Sequence, residues 1–116
     1  MEKMTEIKTE KQDEVHFIMV KGEIDAGSSI HLDNAIKDAA DKDEKKIAID
    51  LSELSYISSA GLGVFISHLD EFESIEVNMV LFGVNESVKE VFSILGLEKL
   101  LTITETKEEA IDSLNG

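Results

Sequence analysis

Apolar positions along this chain recur with two different spacings, and the changes between them mark out alternating strands and helices. Strand-like spacing covers residues 4–9, around Met4 and Ile7, and returns across Val15, His16, Phe17, Ile18, Met19 and Val20. The polar triplet Gln12, Asp13 and Glu14 between them predicts a turn joining two antiparallel strands. From Leu32 the spacing becomes helical through Ala35, Ile36, Ala39 and Ala40, with Ser28 or Ser29 as candidate cap. Residues 46–51 form a short apolar run, Ile47, Ala48, Ile49 and Leu51, which suits a strand covered on both faces at the sheet centre.

The carboxyl-terminal half repeats the alternation. Leu62, Phe65, Ile66, Leu69 and Phe72 predict a second helix that begins near the serine pair Ser58 and Ser59. Residues 77–82 predict a strand. Asn85 is placed to cap a third helix that buries Val88, Val91, Phe92 and Leu95 and stops at Gly96. Residues 100–104 predict a last short strand. Thr106, Lys107, Glu108 and Glu109 then form a capping box ahead of a final helix carrying Ala110, Ile111 and Leu114. No repeat or linker interrupts the chain. Strands alternating with helices imply right-handed crossovers, so the fold class is α/β. The expectation is one domain over residues 1–116, with a mixed, mostly parallel sheet of four to five strands and about four helices.

Composition narrows the partners. The chain has 116 residues, 11 basic against 25 acidic, for a net charge of −14, and 42% of it is hydrophobic. That field repels phosphate backbones and anionic lipids, so neither nucleic acid nor a membrane surface is an expected partner. With no cysteine there is no disulfide, thiolate nucleophile or cysteine-ligated metal. The first six residues, Met1 to Glu6, lack a signal-peptide apolar region, and no long apolar run follows, so a cytoplasmic protein is expected.

Few residues offer chemistry. His16, His31 and His68 lie far apart without metal-ligand spacing, and surface or half-buried places are expected for them; no metal and no cofactor is expected. Gly61, Leu62 and Gly63 lack the third glycine of a dinucleotide fingerprint and the lysine of a phosphate-binding loop. Ser59 has Gly61 two places after it but Ile57 two places before it, so it is no nucleophile elbow, and no catalytic residue is assigned. The serine pair remains, with two readings. Either serine could be a helix cap contributing about 1 kcal/mol. The positive end of the helix dipole also favours a phosphate ester there, which would make the serine a modification switch.

The stretch from Ile49 to Val64, with Asp50, Leu51, Ser58, Ser59, Ala60, Gly61, Leu62 and Gly63, resembles the signature of the STAS domain of bacterial anti-sigma factor antagonists. Gly22, Glu23, Ile24 and Asp25 are similar to that family's Gly-Glu-Leu-Asp turn, and Val88, Phe92, Gly96 and Leu97 match its third helix. The resemblance spans essentially the whole chain. It implies a protein without enzymatic activity that binds an anti-sigma factor, itself a serine kinase, and frees a sigma factor. The kinase would phosphorylate the antagonist from ATP, and a metal-dependent serine phosphatase would reverse the step. The acceptor implied is the serine two places before Gly61, which is Ser59, with Ser58 as the alternative. Where the family often has aspartate before the acceptor and serine or threonine after it, this chain has Ser58 and Ala60.

Asp25 matches an acidic residue that the family places near the acceptor. The partner-binding surface expected is Asp25, Ser58, Ser59, Ala60, Gly61, Leu62 and Gly63, with the two glycines open to a partner's backbone and tolerant of substitution as far as folding goes. One alternative is a non-phosphorylated STAS scaffold in a regulatory assembly or transporter complex. Another is a small nucleotide-binding protein or enzyme using the turn at Gly61 to Gly63.

Overall fold

A computed structural model describes residues 5–116, so Met4 of the first expected strand lies outside the described residues. The elements alternate as β1 (Glu6–Gln12), β2 (Val15–Ile24), α1 (Ser29–Asp41), β3 (Lys46–Ile57), α2 (Ser59–Ser67), α3 (Leu69–Ser74), β4 (Asn78–Phe82), α4 (Glu86–Ile94), β5 (Thr102–Thr104) and α5 (Lys107–Asn115). A single turn of 3-10 helix, Leu97–Lys99, links α4 to β5. The five strands lie side by side in chain order, with β1 antiparallel to β2 and every other neighbouring pair parallel. β3 is therefore central, and Ile47, Ala48 and Ile49 are fully buried, as a strand covered on both faces requires.

Alternation along the strands sorts the core into two layers. Ile18, Ile47, Ile49 and Leu81 face α1, α2, α3 and α4 through Leu32, Ile36, Leu62, Phe65, Phe72, Val88 and Phe92. Phe17, Ala48, Val80 and Phe82 point the other way, where Ala110 and Leu114 of α5 cover them. Lys107 sets its ammonium 4.7 Å above the Phe17 ring. Helix ends follow their local chemistry. Asn85 accepts from the Val88 amide at 2.8 Å to start α4, and Gly96, at φ +71°, ends it in the left-handed conformation. Thr106 and Glu109 complete the capping box of α5.

Several elements depart from the sequence reading. β3 extends to Ile57 rather than Leu51, because its pairing with β2 shifts between Met19 and Lys21 and again between Gly22 and Glu23. Each shift gives β3 one more residue than β2, so the buried positions Leu51, Leu54 and Ile57 come at intervals of three. The second helix breaks at His68 into α2 and α3. α4 buries Val88 and Phe92, whereas Val91 and Leu95 are 37% and 55% exposed, because the sheet beneath it ends in the three-residue β5. Leu100 precedes β5 and is exposed.

Two of the three histidines are buried, against expectation, and each lies beside a carboxylate. His68 Nε2 is 2.7 Å from Asp33 Oδ1 while its ring stacks on Phe72, which ties the α2–α3 break to α1. His16 lies 4.0 Å from Glu44, and burial pushes its pKa below the ordinary value. His31 is exposed, and no metal-ligand cluster occurs among the described residues.

Candidate functional site

β2 and β3 run parallel, so their carboxyl ends lie together, and both hand over to helices there. The Ser58 amide donates to the Ile24 carbonyl at 2.8 Å, and the Ser55 hydroxyl donates to the Gly22 carbonyl at 3.0 Å. These two bonds hold the Asp25 segment beside the serine pair. Asn85 adds the start of α4 to the same rim by donating its side-chain amide to the Leu54 carbonyl at 2.8 Å.

The two serines are in different situations. Ser58 is the cap of α2: its backbone is extended, it is half-buried, and its hydroxyl accepts from the Gly61 amide at 3.2 Å. Ser59 is the first residue of the helix and exposed, and its hydroxyl makes no hydrogen bond among the described residues. A bulky reagent can therefore reach Ser59 Oγ without unmaking the cap. Ala60 beside it is also exposed and adds no competing hydroxyl.

Gly61, Leu62 and Gly63 sit inside α2 rather than in a loop, so they form no phosphate-cradling turn. Only Gly63 opens to solvent. Leu62 is buried in the core, and a Cβ on Gly61 would come within 2.7 Å of both Ile24 Cγ2 and Ile57 Cγ1. The expected openness of Gly61 to a partner and its tolerance of substitution are therefore corrected. It lacks a side chain because α2 must settle against the two strand ends.

Gly22, Glu23 and Ile24 likewise close β2 instead of forming a turn, with Gly22 at φ +94° where the pairing shifts. Asp25 follows, and its Oδ1 accepts from the Ser28 amide at 2.8 Å and from the Ser28 hydroxyl at 2.9 Å. Ser28 Oγ in turn accepts from the Asp25 amide at 2.9 Å. Those bonds from Ser28 hold the Asp25 carboxyl below the usual carboxylate range. The carboxylate, rather than a serine hydroxyl, thus closes the start of α1, and it stays exposed at the site as a fixed negative charge.

Two apolar residues on this rim escaped the sequence reading. Ile30 in the first turn of α1 is 57% exposed, and Tyr56 near the end of β3 is 49% exposed. Their signal was present: Ile30 lies off the helical stripe that runs through Leu32 and Ile36, and Tyr56 stands between the buried Leu54 and Ile57. The site therefore combines a free hydroxyl, a fixed carboxylate and two apolar contacts, which suits protein binding better than chemistry. Among the described residues no helix is long and apolar enough to cross a membrane.

Comparison with known proteins agrees with this geometry. Residues 6–110 match the family model described as STAS domain. The chain is 34% identical over 104 residues to the anti-sigma-B factor antagonist of Listeria monocytogenes, covering 90% of each chain. It is 28% identical over 102 residues to the protein of that name in Staphylococcus aureus, covering 88% of this chain and 94% of the relative. The crystal structure of an anti-sigma factor antagonist from Mycobacterium paratuberculosis shares the fold at a TM-score of 0.89 and 20% identity, covering 97% of this chain and 96% of that one.

Proposed function

The chain belongs to the STAS domain family, and on that premise we propose that it is an anti-sigma factor antagonist switched by phosphorylation of Ser59. It binds an anti-sigma factor that is also a serine kinase, and this binding releases a sigma factor. Transfer of phosphate from ATP to Ser59 ends the interaction, and a metal-dependent serine phosphatase restores it. The chain contributes a binding surface and a phosphate acceptor and has no catalytic residue of its own. Its contact surface comprises Ser59, Ala60 and Gly63 of α2, the half-buried Ser58, Asp25, and the exposed Ile30 and Tyr56.

The observation that carries this reading is the unbonded, exposed hydroxyl of Ser59 beside a Ser58 hydroxyl committed to the cap. Phosphate on Ser59 would add about −2 charge and a hydration shell in the middle of the contact surface. Asp25 already holds its carboxylate there, so the added repulsion is local, and the bulk charge of −14 hardly changes. The test is a calorimetric titration of the unmodified protein, the enzymatically phosphorylated protein and Ser59→Asp against a purified anti-sigma-B factor. The unmodified form binds tightest, and Ser59→Asp falls between because one carboxylate reproduces only part of a phosphate. Equal affinities for the first two forms would remove the switch and leave a non-phosphorylated scaffold.

A further inference from the structure

β1 lies at one edge of the sheet, and among the described residues no strand pairs with its outer side. An edge strand presents a row of unpaired backbone donors and acceptors, which proteins usually blunt with a bulge, a proline, brevity or charged side chains. Of these devices β1 carries only charges, Glu6, Lys8, Glu10 and Lys11, and charges blunt an edge only against a strand that does not complement them. The strand runs seven residues, keeps an unbroken register against β2 from Glu6 to Gln12, and belongs to a chain without proline. The opposite edge, β5, has only three residues.

The charges on this edge are arranged so that the strand complements itself. We propose that β1 pairs with β1 of a second copy, antiparallel and centred on Thr9, to join two five-stranded sheets into one of ten strands. An antiparallel pair across a two-fold axis places residue i opposite residue 18 − i in this register. Lys8 then faces Glu10 of the other copy twice, Glu6 faces Gln12, Ile7 faces Lys11, and Thr9 meets its own counterpart. The axis stands perpendicular to the sheet, so only registers that shift the centre by whole residues are available. Centring on Lys8 sets Lys8 against Lys8 and Glu6 against Glu10, and centring on Glu10 sets Glu10 against Glu10. Like charges directly opposite destabilise a strand pair and opposite charges stabilise it, which disfavours both. Centring on Ile7 also sets Glu6 against Lys8 but pairs only residues 6–8 of β1, so the register at Thr9, which pairs the whole strand, is selected.

The charged side chains concerned are free to exchange partners. Lys8 is exposed and sits 3.2 Å from Glu6 on its own strand, and exposed Glu10 accepts from Gln12 at 2.6 Å. Lys11 is held by Glu44 at 3.1 Å on the α1 side, away from the charged face used in the pairing. β1 itself carries two lysines and two glutamates and is neutral, although the whole chain is at −14. Association at this edge therefore avoids local repulsion while the bulk repulsion keeps it weak and salt-promoted. The rotation sends the two Ser59 turns to opposite ends of the joined sheet, so both remain open. The proposal is independent of what binds at Ser59 and of its phosphorylation.

The test is sedimentation equilibrium of the full chain without any partner, in moderate salt. The unmodified protein shows a concentration-dependent monomer–dimer equilibrium. K8E and E10K each weaken it by about tenfold or more, and K8E/E10K restores it. An equimolar mixture of K8E with E10K also associates, because each then supplies the charge the other lacks. E10K is decisive, since it lowers the net negative charge of the chain and yet weakens the dimer. A second readout uses the absence of native cysteine. Thr9→Cys forms an intermolecular disulfide on oxidation, because directly opposite residues lie within its reach, whereas two Gln12→Cys residues would be about 20 Å apart and do not. A protein that stays monomeric at all concentrations, a dimer indifferent to both single reversals, or cross-linking of Gln12→Cys as fast as Thr9→Cys would each overturn the proposal. Circular dichroism confirms that these exposed substitutions leave the fold intact.

Discussion

Adjacent serines of the same type take different roles here because one backbone step separates a helix cap from the first residue of the helix. Ser58→Ala removes the acceptor for the Gly61 amide and costs about 1 kcal/mol, yet the chain remains a phosphate acceptor. Ser59→Ala leaves the thermal midpoint nearly unchanged and abolishes the added mass. Peptide fragmentation together with a melting curve checks both, and phosphate found on Ser58 would reverse the assignment. Gly61 gives the opposite kind of prediction. An alanine usually gains up to about 1 kcal/mol over glycine inside a helix. Here the new methyl meets two buried, branched isoleucines at 2.7 Å, so overpacking wins and Gly61→Ala destabilises by about 1–3 kcal/mol in urea unfolding. Asp25→Asn keeps an oxygen that can accept from the Ser28 amide, so it retains the melting temperature while altering phosphorylation of Ser59.

Elements here are held by strand pairing and by the two layers of apolar core, and one residue buried among them responds to pH. Burial keeps the pKa of His16, on β2, below its ordinary 6.5, with Glu44 opposing the shift and Lys42 and Lys11 adding to it. The unfolded chain thus takes up this proton first as the pH falls. The contribution of His16 to stability is complete above about pH 6.5 and declines from there toward the lower folded pKa. Urea midpoints of the unmodified protein and His16→Gln, compared at about pH 7.5 and about pH 5.5, should differ less at the lower pH. The second helix shows how a tertiary contact alters an element. Its apolar spacing runs uninterrupted from Leu62 to Phe72, yet the helix breaks where His68 turns toward Asp33 of α1. The extension of β3 was hidden in the same way. Extra residues at its two register shifts replace the period of two by a period of three, which no strand template recognises.

For the molecule as a whole, 25 carboxylates on 116 residues leave a strong self-repulsion that folding concentrates. The thermal midpoint should therefore rise as sodium chloride is added from low ionic strength and level off once the Debye length falls below about 10 Å. A midpoint that fell with salt would mean that the exposed ion pairs outweigh the repulsion. The α/β class, the order of the elements, the central β3, the capping of α4 and α5 and the place of Ser59 at a strand-to-helix junction were all legible in the sequence. Each depends on the spacing of apolar residues or on a local cap, and such signals act over a few neighbouring positions. Folding alone decided which serine keeps a free hydroxyl, that Asp25 closes α1, that Gly61 faces inward and that Ile30 and Tyr56 stand exposed on the site. These outcomes depend on how the ends of β2 and β3 meet, through bonds such as that from the Ser58 amide to the Ile24 carbonyl, 34 positions apart in the chain. Local periodicity carries no information about a contact that only the closed sheet brings into being.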